Sequence, residues 1–136
     1  MDEPQTLQEL DATECRRLLQ SHDVRVGRAG IVDDDGRPVV LPLNFQLHHD
    51  VLVLRTGDGE LLRAVQAGRP LAFEVDTVDP AWREGWSVLV RGVPEEVTDP
   101  DRIAELRQLG LSVWAPGPRD RWVLLPLEDI SGRRLV

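Results

Sequence analysis

The stretch PVVLPLNFQLHHDVLVLRTGDGELLRAVQAGRPLAFEVD, Pro38–Asp76, decides the architecture. Its apolar runs are strand-length, rich in Val, Leu and Phe, and separated by polar turns, the pattern of an antiparallel sheet. His48-His49-Asp50 makes one turn and Val51–Arg55 the strand after it. Glu60–Ala67 reads as a short helix with Leu61, Leu62 and Val65 inward, Gly68 at its C-cap and Pro70 just beyond. Leu71–Asp76 alternates strictly, Phe73 and Val75 on one face, Glu74 and Asp76 on the other.

Working outward, Val24–Val32 alternates apolar residues with Arg or Gly, and Asp33-Asp34-Asp35-Gly36 turns it back into Arg37–Phe45 as a hairpin. Upstream, Asp11-Ala12-Thr13-Glu14 has the form of a capping box, and Cys15, Leu18 and Leu19 follow at helical spacing. Downstream, Thr77–Glu84 reads as a loop and Gly85–Thr98 as a long strand interrupted by Gly92 and Pro94. Asp99-Pro100 opens a helix that runs to about Leu109 and is closed by Gly110. Ser112–Asp120 is then a loop and Arg121–Leu125 a final core strand. No repeat or linker interrupts the chain, so residues 1–136 are expected to form one domain, with 1–9 as a flexible N-terminal tail. Strands in this meander order predict a mainly β (α+β) fold, a closed or nearly closed antiparallel sheet with short flanking helices.

Composition narrows the function. The net charge of −8 opposes non-specific attraction to nucleic acid or anionic membranes. No apolar run approaches the roughly 20 residues that cross a bilayer, and the first residues, MDEPQTLQEL, are acidic where a secretory signal is basic, which points to the cytoplasm. The single Cys15 excludes an internal disulfide framework, and no Cys/His spacing suits a metal. All 16 basic residues are arginine and tyrosine is absent, which excludes Schiff-base chemistry on lysine and a tyrosine acid.

The junction Arg55-Thr56-Gly57-Asp58-Gly59 is suited to an anion: a guanidinium fork, a hydroxyl and two unobstructed amides lie next to a helix start. Trp86 and Trp122 are two of only six aromatic residues and suit core or interface packing as well as a ligand; Trp82 and Trp114 sit in loops. Ser87 can serve a ligand or the sheet ladder. His48-His49 reads as a solvated hairpin turn, and Glu74 and Asp76 as partners for Arg91 on the following strand.

Several short words recur in order: Pro42-Leu43-Asn44-Phe45, Leu54-Arg55-Thr56, Ala72-Phe73-Glu74-Val75-Asp76, Gly85-Trp86-Ser87-Val88 with Arg91-Gly92, and Trp114-Ala115-Pro116-Gly117 through Trp122. Together, over Leu10–Leu135, they resemble the flavin-binding split-barrel superfamily that includes pyridoxamine 5′-phosphate oxidase, and above all its small actinobacterial oxidase-like and nitroimidazole-resistance-like members. The resemblance implies a Greek-key-like split β-barrel that forms a homodimer, with FMN in two equivalent clefts at the interface. It implies an oxidoreductase that reduces a small oxidised substrate, such as a nitroaromatic or a quinone, with a nicotinamide-derived hydride. The alternative is a non-enzymatic dimer that carries a flavin, a deazaflavin or haem.

The resemblance also assigns cofactor-binding residues. Leu41, Pro42, Leu43 and Asn44 match the strand beside the isoalloxazine ring; Arg55, Thr56, Gly57, Gly59 and Leu61 match the segment that holds the phosphate. Trp86, Ser87 and Trp122 match regions near the cofactor. Many relatives begin the following helix with a basic residue, whereas this chain has Leu61 preceded by Glu60. A missing charged contact of roughly 1.5–3 kcal/mol corresponds to about 10- to 100-fold in affinity. No catalytic acid, base or metal ligand is nominated.

Overall fold

The computed structural model describes residues 5–21, 26–113 and 117–136. The elements in chain order are β1 (Leu7–Leu10), α1 (Ala12–Ser21), β2 (Val26–Val32), β3 (Pro38–His48), β4 (Val51–Thr56), α2 (Glu60–Gln66), β5 (Leu71–Asp79), β6 (Glu84–Gly92), β7 (Glu95–Val97), α3 (Pro100–Arg107), β8 (Arg121–Pro126) and β9 (Asp129–Leu135). The strand expected from Val24 is described from Val26, and Val24 and Trp114 lie outside the described residues.

The helix ends follow local chemistry. Asp11 accepts the Glu14 amide at 2.9 Å, one half of the capping box. The Glu14 carboxylate turns instead to Arg17 and, across the fold, to Arg134 at 3.1 Å. Asp99 caps α3 through the Asp101 amide at 3.1 Å, with Pro100 at the first helical position, where its missing N–H costs nothing.

The strands form one antiparallel sheet in the order β1-β9-β6-β5-β2-β3-β4-β8-β7. The expected closure does not occur: β1 and β7 are edges that do not pair with each other, so the sheet is open and split. The expected tail is also corrected, because Leu7–Leu10 pairs with β9 from Leu7↔Leu135 to Leu10↔Gly132. The stretch Gly85–Thr98 is two strands: β6 lies between β5 and β9, and β7 pairs only with β8. The loop expected at Thr77–Glu84 shrinks to a tip at Pro80–Arg83, where Arg83 takes a positive φ of 51°.

β3 divides the sheet. Its residues up to Asn44 pair with β2, and from Phe45 onward it pairs with β4. Phe45 is fully buried at this switch and meets Phe73 edge-on, with ring centroids 5.5 Å apart. This pair anchors the main core, to which α1 contributes Cys15, Leu18 and Leu19 and α2 contributes Leu61, Ala64 and Val65. A second cluster lies on the opposite face of β4 and β8, where Val53, Trp122 and Leu124 meet Val97, Leu106 and Leu111. Strands covered on both sides need apolar residues at every position, which explains the unbroken run Trp122–Leu125.

On the other face of β2 and β5, Arg28 bridges Glu74 at 3.2 Å and Asp76 at 3.0 Å. The pairing with Arg91 expected from sequence is therefore corrected. Arg91 stands opposite Ala72 in the register and pairs with Asp129 on β9. Burial pushes the Glu74 carboxyl up to about 7, Asp76 adds to this by hydrogen bonding and repulsion, and Arg28 opposes it.

A Cβ at Gly27 would collide with the buried Phe73 ring and stand 2.8 Å from the Glu74 carbonyl. Gly27→Ala should therefore cost about 1–3 kcal/mol, read as a lower urea midpoint; an unchanged midpoint would show that the ring has room to move. A carboxyl whose native pKa is raised contributes stability below its ordinary value and loses it as pH rises through the native value. Thermal midpoints of the wild type should thus fall more steeply between about pH 5 and 8 than those of Glu74→Gln, and equal slopes would refute the assignment.

Candidate functional site

A cleft of about 220 Å³ opens where β3 changes partner. Pro42, Leu43 and Asn44 form one wall, Arg55 comes from β4, and Val113 and Arg119 come from the segment that follows α3. Its surface is mostly apolar, with two guanidinium groups set into it.

Among the described residues five arginines carry no ion pair, Arg55, Arg83, Arg107, Arg119 and Arg133, and of these Arg55 and Arg119 line the cleft. The chain carries 24 carboxylates against 16 arginines, and the other described arginines are in ion pairs. Arg121, close in sequence, is committed to Glu96 at 2.7 Å and Asp58 at 3.4 Å. Arg55 and Arg119 have no ion pair among the described residues. Arg55 donates through Nε to the Arg119 carbonyl at 3.1 Å, and its guanidinium carbon lies 4.7 Å from the centre of the Trp122 ring. Arg119 donates to the carbonyl of Pro118 at 3.0 Å. Two cations held together without counter-charge in an acidic protein make a local seat for an anion.

The residues around this seat have separate tasks. Gly57 is needed for space: a Cβ there would come within 2.6 Å of the Pro118 carbonyl, so glycine lets the loop carrying Arg119 close onto β4. Gly59 has φ 177° and open space about it, so its conformation is available to any residue. Thr56 is buried and its hydroxyl donates to the Gly57 carbonyl at 3.3 Å. Leu61 packs into the main core at 2% exposure, and Leu41 packs against the same core. Trp122 is 1% exposed and faces the second cluster. Leu61 and Trp122 are thus walled off from the cleft in this chain.

Of the residues named from sequence, Pro42, Leu43, Asn44 and Arg55 come together in the cleft. Trp86 and Ser87 do not: they line a separate groove of about 430 Å³ on β5, β6 and β9. Arg119 was missed, although it is the only basic residue between Ser112 and Asp120, which was the available signal. Among the described residues no group of three His, Cys, Asp or Glu could hold a metal. No helix among them is long and apolar enough to cross a membrane.

Comparisons with known proteins identify the family. The chain is 33% identical over 136 residues to an uncharacterised protein of Mycobacterium tuberculosis, covering 94% of this chain and 85% of that protein. Among solved structures it is similar to the FAD binding protein from Mycobacterium smegmatis, with 35% identity, a TM-score of 0.75, and 93% and 96% of the two chains covered. It is also similar to an FAD-binding protein from Mesorhizobium loti, with 25% identity, a TM-score of 0.80, and coverage of 98% and 99%. The family model of pyridoxamine 5′-phosphate oxidase matches residues 11–134, nearly the whole described sheet, and the chain belongs to that family of flavin-binding split barrels.

Proposed function

We propose that this protein binds a phosphorylated flavin, FMN or FAD, and uses it to reduce a small oxidised substrate. The observation that carries the reading is the pair Arg55 and Arg119, free of carboxylate partners among the described residues, on a cleft walled by Pro42, Leu43 and Asn44. The guanidinium groups suit a phosphate, and the apolar wall suits the flat face of the ring system. When bound, the flavin supplies two-electron transfer; the protein supplies binding, orientation and exclusion of water.

The cleft volume of about 220 Å³ is smaller than the roughly 300–1,000 Å³ of sites that enclose a drug-sized ligand. A second copy of the chain completes the site in this reading, covering the part of the flavin that one chain leaves exposed. Trp86 and Ser87, outside the cleft of their own chain, are then available to the cleft of the other. Asp58 and Glu60, both exposed beside the β4–α2 junction, oppose a dianion and lower its affinity.

The test is an absorbance spectrum of the purified protein, followed by titrations with FMN, FAD and riboflavin read by flavin fluorescence, with light scattering to give the oligomeric state. FMN or FAD should bind more tightly than riboflavin, and the scattering mass should be twice that of the chain. Arg55→Ala should weaken FMN by about 10- to 100-fold and leave riboflavin unchanged. A protein indifferent to all three flavins would overturn the reading. A haem band or preference for a deazaflavin would replace the cofactor, and tight flavin binding without turnover of quinones or nitroaromatics would leave a carrier.

A further inference from the structure

We infer that Trp122 is a positioning residue for the phosphate end of the flavin: it holds the Arg55 guanidinium flat, so that Arg55 meets the ligand already oriented. This inference rests on the reading of the cleft as a phosphate seat.

Arg55 and Trp122 are directly opposed in the β4–β8 register, so their side chains leave the sheet on the same face. The guanidinium then lies 4.7 Å from the centre of the indole ring, within the range of cation–π attraction. With Nε of Arg55 donating to the Arg119 carbonyl and the guanidinium carbon over the ring, its terminal nitrogens have no hydrogen-bond acceptor among the described residues and are left for a ligand. Trp122, at 1% exposure, cannot itself touch that ligand.

A role limited to filling the second cluster fits Trp122 poorly. Its indole N–H is buried and finds no acceptor among the described residues, a cost that leucine or phenylalanine at this position would avoid. What tryptophan offers beyond volume is the strongest π face of the aromatic side chains, and the group above that face is a cation without a carboxylate partner among the described residues. Ordering a long arginine side chain during folding removes that entropic cost from the binding step. The expected gain in phosphate affinity is about 2- to 10-fold.

Truncating a buried tryptophan risks unfolding, so the decisive variants keep its shape. Tryptophans of increasing fluorination placed at position 122 weaken the ring's attraction for a cation with little change in packing. FMN and riboflavin dissociation constants are measured for each, with thermal midpoints and with Arg55→Ala as the reference. The expected result is a stepwise loss of FMN affinity reaching about 2- to 10-fold, unchanged riboflavin affinity, and no fluorination effect in Arg55→Ala. Trp122→Phe should fall between the wild type and the most fluorinated protein. An FMN affinity that ignores fluorination while Arg55→Ala still loses FMN would sink the inference and leave the phosphate seat intact. FMN and riboflavin weakening in parallel would likewise reduce Trp122 to packing. If wild type and Arg55→Ala bind both flavins equally, the phosphate seat fails and the inference fails with it.

Discussion

The change of partner within β3 is the constraint from which the site follows. The strand belongs to two halves of the sheet, and the change falls between Asn44, the last residue paired with β2, and Phe45, the first paired with β4. Phe45 is locked there by Phe73, and the absence of a side chain at Gly27 leaves room for the Phe73 ring. Pro42, Leu43 and Asn44, the residues just before the switch, line the cleft. The cleft thus lies where the sheet changes partner.

Electrostatics then determines what the opening can hold. In a chain with a net charge of −8, the potential far from the surface repels an anion, so only local cations can retain one. Exposed ion pairs such as Arg16–Asp50 and Arg102–Glu95 contribute little to stability, but they neutralise their arginines. Arg55 avoids neutralisation because of its neighbours in the fold: an aromatic face on one side and a backbone carbonyl on another. Both are attractive to a cation and neither carries a full negative charge, so the positive charge remains available to a ligand.

Much of the sheet was legible because its signals are local. The turns at Asp33–Gly36 and His48–Asp50, the alternation along β5 and the Asp99-Pro100 helix start all depend on residues adjacent in sequence. β9, Asp-Ile-Ser-Gly-Arg-Arg-Leu, was not legible, since its polar pattern becomes a strand only by insertion between β6 and β1. The partner of Glu74 was misjudged for a related reason. Order along the chain favoured β6, but register places Arg28 of β2 opposite Glu74 and carries Arg91 past it to Ala72. The cleft divides in the same way: Arg55 stands out at the β4–α2 junction and Pro42–Asn44 are named by the resemblance, whereas Arg119 reaches the cleft only through the contact that Gly57 permits.

In the proposed reading the position of Leu61 keeps the anion seat away from the start of α2. Its side chain is consumed by the main core, so a basic residue placed there would meet apolar neighbours before it met a ligand. The next exposed position toward the junction is Glu60, of the wrong sign. The α2 start therefore contributes little positive charge, and in the proposed reading the cations come from β4 and from the loop that Gly57 admits. Arginine suits that arrangement where lysine does not, because a planar guanidinium can lie on an indole and still project donors sideways, whereas an ammonium has no face to stack and no second edge to offer. A strand-and-loop seat of this kind is set by cross-strand register and by one close backbone approach, and both are properties of the folded sheet rather than of a contiguous motif.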